Sequence, residues 1–207
     1  MDLPSTTPAR PPLQHRSKQR VDRILDAARE LIAIRGCAAL TMRDLAQESG
    51  MTPASIYRYF PNRAAVLERL GEDYARLFID RLLAALEDRS LTREGFVVRF
   101  RTLIDEFYAL HLRDPVLRDI WQGVLVDKAL SGIARRTRDT GVRLLMDVVA
   151  PLFPDVRPAE LKLDMLLLLE LATTATSAAL DLPASDARRV VDRGKGWIAP
   201  LVHDYLP

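Results

Sequence analysis

One glycine and two prolines divide the segment from Thr41 to Arg63 into two short helices with a tight turn between them. Gly50 can adopt the left-handed backbone that ends a helix, and Pro53 stands at a first helical position, where its missing N–H costs nothing. The residue before Pro61 avoids helical geometry, so the second helix is expected to end there. The spacing predicts a helix-turn-helix, a motif whose second helix enters the major groove of DNA.

Threonines are expected to cap both helices. Thr41 precedes the first helix, and Asp44 stands three residues later, where a capping box has its second member. Thr52 precedes the second helix, and Ile56 and Phe60, four residues apart, are expected on its inner face. The alternative interpretation is a helical hairpin with an exposed polar face, which so short a motif leaves open.

The segment from about Arg20 to Leu70 resembles the DNA-binding domain of the tetracycline-repressor (TetR) family of transcription regulators. The stretches that match in order and spacing are Ile24-Leu25-Asp26-Ala27-Ala28, Gly36, Leu40-Thr41-Met42-Arg43-Asp44-Leu45-Ala46, Ala54-Ser55-Ile56-Tyr57-Arg58-Tyr59-Phe60, Asn62-Arg63 and Leu67. Pro53 departs from the family pattern, in which a polar or basic residue is common, and this removes one possible DNA contact.

The resemblance implies an all-α fold of about nine helices. A three-helix helix-turn-helix DNA-binding domain is expected over residues 17–66, and a helical ligand-binding and dimerisation bundle over residues 67–207. Residues 1–16 hold four prolines and few apolar side chains, so they are expected to form a disordered arm. A basic arm that follows the DNA is the alternative.

The family pattern also assigns DNA contacts to nine residues. Those expected at backbone phosphates are Thr41, Arg43, Tyr57 and Arg63. Those expected at bases or adjacent phosphates are Thr52, Ala54 and Ser55, and those expected to reach either are Arg58 and Tyr59. The alternative for Tyr57 is packing against the first helix, and the alternative for Arg63 is a solvated cation at a helix start.

Composition fits a cytoplasmic regulator. The net charge is +2, and residues 1–70 carry eleven Lys and Arg against seven Asp and Glu, which gives the DNA-binding end a positive balance. No apolar run appears long enough to cross a bilayer, and the N-terminus lacks the apolar segment of a secretory signal. No membrane association is therefore expected.

Neither a cofactor nor a metal site is expected. The single cysteine, Cys37, cannot form an internal disulfide or a cysteine cluster, and it is expected to be a small buried residue, with redox sensing as the alternative. The three histidines are scattered. No catalytic triad spacing, zinc-binding helix motif or nucleotide loop is present, and the adjacent carboxylates Asp105 and Glu106 point apart on a helix, so enzymatic activity is not expected.

The segment from Pro158 to Leu182 is apolar most of the way round, so a helix there must be covered on most sides. The resemblance implies a homodimer built from the last two helices. Residues 160–180 and 186–202 are therefore expected to form a two-fold interface. An internal core helix of a monomer is the alternative. Each subunit of a dimer would read one half-site of a near-palindromic operator on double-stranded DNA.

The resemblance further implies a repressor that a small hydrophobic or amphipathic ligand releases from DNA. The alternative is a DNA-binding protein without a small-molecule inducer, controlled by a protein partner. Apolar residues of the body with a few polar tips are expected to line the ligand site, with plain core packing as the alternative. These residues are Phe100, Leu103, Phe107, Tyr108, His111, Trp121, Leu125, Met146, Met165 and Leu168, of which His111 and Trp121 have polar atoms that need partners.

Overall fold

The structure is a computed structural model of the chain and describes residues 13–87, 91–123 and 128–197. Within these ranges the chain forms nine α-helices and two short 3₁₀ turns, without strands, which confirms the all-α prediction. The helices are α1 (Leu13–Arg35), α2 (Met42–Glu48), α3 (Pro53–Tyr57), α4 (Arg63–Ala85), α5 (Arg93–Arg113), α6 (Pro115–Gly123), α7 (Lys128–Val149), α8 (Pro158–Leu180) and α9 (Ala184–Gly196). The 3₁₀ turns are Cys37–Ala39 and Ala150–Leu152.

The chain packs as two compact units that divide between Val66 and Leu67. We call residues 1–66 the head and residues 67–207 the body. Helix α1 of the head begins at Leu13, inside the stretch predicted to be a disordered arm, because the prolines stop at Pro12 and the long polar side chains that follow favour helix. Residues 1–12 of the predicted arm lie outside the described residues.

The core of the head is formed by apolar residues at helical spacing. Ile24 and Leu25 of α1, Leu45 of α2, Ile56 of α3 and Phe60 are all buried, and Ile56 is fully covered. The predicted inner face of the second helix is thus confirmed. Cys37 is buried as well, as expected.

Helix α8 packs against α5, α7 and α9 in the body. Its inner face carries seven buried residues, which are Leu161, Met165, Leu168, Leu169, Ala175, Thr176 and Ala179. Among the described residues it is the one helix long and apolar enough to cross a membrane, and interior helices of globular proteins meet the same test. The prediction that no such run exists was wrong, because the charges near Met165 and Leu169 are too few to interrupt the apolar character of the helix.

Helix α9 approaches α8 closely at a glycine. A Cβ atom on Gly194 would lie 2.6 Å from the Cβ of Ala175, so only glycine permits this separation of the two helices. Residues 198–207 lie outside the described residues, and with them the last part of the interface predicted over residues 186–202.

Candidate functional site

The turn of the helix-turn-helix has the local geometry that the sequence predicts. The Thr41 hydroxyl accepts from the Asp44 backbone N–H at 3.1 Å, and the Thr52 hydroxyl accepts from the Ser55 backbone N–H at 3.3 Å. Gly50 has φ +61°, in the left-handed region. The reciprocal capping contact differs from a standard box, because the Asp44 carboxylate accepts from the Thr41 hydroxyl, at 2.8 Å, instead of from its backbone N–H.

Most of the nine predicted DNA-contact residues lie on the surface of the head. The exposed ones are Thr41, Arg43, Thr52, Ala54, Tyr57 and Arg58, and the half-buried ones are Ser55, Tyr59 and Arg63. Helix α3 ends at Tyr57, three residues earlier than Pro61 requires, and two further backbone hydrogen bonds from Tyr59 and Phe60 to the Ile56 carbonyl continue the turn. The exposed face therefore ends in a compact turn that carries Arg58.

The two tyrosines of this turn have different surroundings. Tyr57 is 52% exposed, which does not fit the alternative of packing against the first helix. Tyr59 instead contacts α1, where a hydrogen bond from Arg20 is the main cause of a lowered Tyr59 pKa, with smaller contributions from Ser17 and the charge of Arg58. The Tyr59 hydroxyl is thus oriented by α1.

Arg63 is bound within the head. Its Nε and Nη2 atoms donate to the Cys37 backbone carbonyl at 3.2 and 2.7 Å, which ties the start of α4 to the 3₁₀ turn. A guanidinium has five N–H donors, so this bond leaves donors available for a phosphate. Arg63 therefore makes a hydrogen bond within the head, and the family pattern implies a DNA contact for the same side chain.

A row of arginines on α1 is the feature that the sequence-based assignment missed. Arg16, Arg20 and Arg23 are exposed and stand on one face at helical spacing. Together with residues of the turn they line a groove of about 590 Å³, whose other members are Gln19, Gly50, Met51, Thr52 and Ser55. The spacing 16, 20, 23 was available in the sequence, but Arg16 was assigned to the arm.

The body contains a cavity of about 850 Å³ between α4, α6, α7 and α8. Aromatic side chains line one part of it and hydroxyl and charged side chains line the rest. The lining includes Phe78, Trp121, Thr137, Arg138, Thr173 and Ser177. Arg138 binds Asp139 at 3.1 Å and Glu170 at 3.3 Å, so carboxylates already compensate its charge.

The residues predicted to line the ligand site fall mostly elsewhere. Trp121 is the one that lines this cavity. Phe107 and Met146 are half-buried, and Leu125 lies outside the described residues. The others are buried in the body, namely Phe100, Leu103, Tyr108, His111, Met165 and Leu168.

A capped helix-turn-helix in the head, with a separate helical body, is the architecture of a helix-turn-helix DNA-binding protein. The family model for bacterial regulatory proteins of the tetR family matches residues 24–70. The model for the tetracyclin repressor-like C-terminal domain matches residues 95–206, more than half of the chain. The chain belongs to the tetR family of bacterial regulatory proteins.

Individual relatives match over part of their length. A helix-turn-helix type transcriptional repressor of Mycobacterium tuberculosis is 36% identical over 88 residues, which are 41% of this chain and 46% of the relative. The nucleoid occlusion factor SlmA of Aliivibrio fischeri is 32% identical over 109 residues, 52% of this chain and 54% of the relative. The chain thus spans about half the length of the curated relatives it matches.

A solved structure matches over most of the fold. The structure described as a SmeT–triclosan complex superposes with a TM-score of 0.67 at 18% identity, covering 87% of this chain and 90% of that one. At this identity the match establishes a common fold.

Proposed function

We propose that the chain is a sequence-specific regulator that represses transcription by binding a near-palindromic DNA operator through the head. The observation that carries the proposal is the groove in which the arginine row of α1 meets the turn and the start of α3. Phosphate contacts fix the register of a protein on DNA, and base contacts specify sequence. We assign the phosphate contacts to Arg16, Arg20 and Arg23. The side chains at the start of α3 supply the base contacts.

Selection of bound sequences from random duplex DNA tests this proposal. We expect enrichment of a near-palindrome whose half-sites lie about one helical turn, roughly 34–36 Å, apart. Binding without enrichment, with steep salt dependence, would contradict sequence-specific recognition. A reporter gene placed behind the selected site then distinguishes repression from activation.

Charge variants separate phosphate contacts from base contacts. Arg23→Ala should weaken binding to all sequences alike and lower the salt slope by about one, whereas Ser55→Ala should alter the selected sequence. Arg143→Ala, which removes an exposed arginine of the body, is the matched control and should leave both unchanged. An equal loss in Arg143→Ala would show that net charge, and not the arginine row, determines binding.

Homodimerisation through α8 and α9 is part of the proposal. Leu163 and Leu167 are 55% and 49% exposed on one face of α8. Thr174 and Ala178, which also line the edge of the body cavity, continue that exposed face with small side chains. An apolar face that changes to small residues suits close packing against the same helix of a second subunit. This arrangement would place two heads on one operator.

Light scattering tests the dimer. The chain should be dimeric at micromolar concentration, and the double variant Leu163→Glu/Leu167→Glu should be monomeric. Leu83→Glu, at a leucine of α4 that is 46% exposed, is the control and should remain dimeric. A monomeric wild-type protein would contradict the interface.

A small hydrophobic or amphipathic effector in the body cavity would release the DNA. A ligand shifts the equilibrium only by its differential affinity for the DNA-binding and released states. A protein of the same fold is described as a triclosan complex, and this supports a small-molecule effector for the present chain. Release of labelled operator DNA by added compounds measures this directly.

A DNA-binding protein controlled by a protein partner, without an inducer, is the second candidate. The similarity to a nucleoid occlusion factor favours it, because the name of that relative describes a role other than inducible repression. A DNA complex that resists every compound bound by the cavity would support this candidate over the first.

A further inference from the structure

His111 contains a buried nitrogen atom without a partner. The side chain is on α5 in the body and is 1% exposed. Its Nδ1 atom lies 2.9 Å from the Phe107 backbone carbonyl, and since a carbonyl only accepts, Nδ1 carries the proton. Nε2 is therefore an acceptor, and it has no hydrogen-bond partner among residues 13–87, 91–123 and 128–197. An unpaired buried acceptor is unfavourable, because the loss of its hydrogen bonds to water is not compensated.

Two aromatic rings contact the His111 imidazole. The centroid of the Phe107 ring lies 4.3 Å from the imidazole centroid and that of the Trp121 ring lies 5.8 Å from it, both edge-on. Phe107 also contacts Trp121 at 5.5 Å and Phe78 at 5.3 Å. A buried water needs two to four polar partners, and the indole N–H of Trp121 is the one polar group that these rings carry. The surroundings favour a ligand that is apolar except for one hydrogen-bond donor.

Two of these rings, Phe78 and Trp121, form the aromatic wall of the body cavity. Trp121 also contacts His111. Nε2 lies on the ring edge opposite the bond to Phe107, so it is directed away from the backbone of its own helix. His111 does not itself line the cavity, so binding of an effector at Nε2 requires that the Trp121 side chain move aside.

We propose that Nε2 of His111 accepts a hydrogen bond from the effector, which is a neutral aromatic compound bearing a hydroxyl donor. The proposal rests on the effector site proposed above and specifies its chemistry. An aromatic ring fits the edge-to-face contacts that Phe78, Phe107 and Trp121 offer. One donor satisfies the one unpaired acceptor.

An anionic effector is disfavoured at this position. Burial lowers the pKa of His111, so the imidazole is neutral near pH 7 and has no charge to offer a carboxylate. A carboxylate has no proton to donate, and its burial beside a lone pair is costly. Two arginines line the cavity, of which Arg138 is paired with Asp139 and Glu170 and Arg135 is exposed.

A fluorescence titration tests the proposal with three probes that share a 4-butylphenyl group. The chain has two tryptophans, so Trp197→Phe leaves Trp121 as the only emitter, at the cavity wall. The probes are 4-butylphenol, its methyl ether and 4-butylbenzoate, with excitation at the red edge of tryptophan absorption. We expect the phenol to bind about tenfold more tightly than the ether, the equivalent of roughly 1.4 kcal/mol, and the benzoate to bind most weakly.

Substitution of His111 in the Trp197→Phe protein tests whether His111 causes the preference for the phenol over the ether. His111→Phe removes the acceptor and keeps an aromatic ring, so the phenol and the ether should then bind within about twofold of each other. His111→Gln retains an acceptor and should keep part of the preference, which also guards against a fold defect in one variant. A phenol preference that survives in His111→Phe, tighter binding of the benzoate, or no binding of any probe to the Trp197→Phe parent would overturn the proposal.

The regulatory function is read out separately. Release of operator DNA by the phenol, absent with His111→Phe, would support both proposals. If the phenol binds in a His111-dependent way and DNA stays bound, the effector role proposed above fails and the chemistry of the site stands. If the probes do not bind and the protein still selects an operator, the inference about His111 fails alone.

Discussion

Lys195 and Asp105 form an ion pair that joins α9 to α5 across 90 residues of sequence. The Lys195 ammonium lies 2.7 and 2.9 Å from the two oxygens of the Asp105 carboxylate. The Lys195 side chain is only 7% exposed, and its ammonium also contacts Asp192 at 2.8 Å. Asp105 has a second cation nearby, since Arg188 lies 3.3 Å from it. The two partners are therefore not equivalent.

Removal of the carboxylate should cost more than removal of the ammonium. Asp105→Asn leaves the buried Lys195 charge with Asp192 alone and should lower the free energy of unfolding by about 3 kcal/mol. Lys195→Met should cost less, because Asp105 keeps Arg188. Urea unfolding followed by circular dichroism measures both. Glu106→Gln is the control, since its exposed pair with Arg81 at 3.6 Å should contribute less than about 1 kcal/mol.

Two glycines of α9 should differ in their response to alanine. Gly194→Ala places a Cβ atom 2.6 Å from the Cβ of Ala175, so α8 and α9 must move apart at a cost of about 1–3 kcal/mol. Gly196→Ala meets nothing within 4 Å and should change stability by no more than about 0.5 kcal/mol. Thermal unfolding compares them. If the clash is the cause, Ala175→Gly should recover part of the loss in the double variant.

His111 should make the stability of the protein depend on pH. Burial lowers its pKa below the ordinary 6.5, against smaller opposing effects of the Phe107 carbonyl and the Asp114 charge. The unfolded chain thus binds a proton that the folded chain does not, so stability falls as the pH drops below 6.5. His111→Phe should show a smaller decrease over that interval in urea midpoints. An unchanged pH dependence would assign the effect to other groups.

Arg63 variants should separate the structural role from the proposed DNA contact. Arg63→Ala removes the bond to the Cys37 carbonyl and should destabilise the head by about 1.5–3 kcal/mol. Arg63→Lys keeps the charge and loses the two-nitrogen geometry of the bond, so it should lose stability yet retain the salt slope of DNA binding. Unfolding curves and binding isotherms at several salt concentrations provide the two readouts. A salt slope that is normal in Arg63→Ala would argue against a phosphate contact.

The helix-turn-helix was the most predictable part of the molecule. Its capping bonds join residues three apart, as from Asp44 to Thr41, and its turn depends on a left-handed glycine, Gly50. These interactions depend on the order of a few neighbouring residues, so the sequence contains all the information they need. The arginine row of α1 was equally local and was missed because the start of the helix was placed four residues too late.

Most of the residues predicted to line the ligand site do not line the cavity. They were chosen as apolar residues of the body with a few polar tips, and that description also fits residues of the plain core. Phe100 and Met165 fit it and are buried in the core, whereas the cavity is lined by residues such as Thr137 and Ser177, which carry no periodic signal. Their role in ligand binding stays a prediction.

The sequence alone determined the helical class, the turn that joins α2 and α3, and the apolar character of α8, because each depends on residues within one or two helical turns. Only the tertiary structure decided which face of α8 stays exposed, since a helix apolar most of the way round has no face that its own pattern assigns inward. It also paired Lys195 with Asp105 and enclosed His111 among the rings of α4, α5 and α6. Such contacts depend on how helices that are distant in the sequence pack together, and no local sequence pattern specifies that packing.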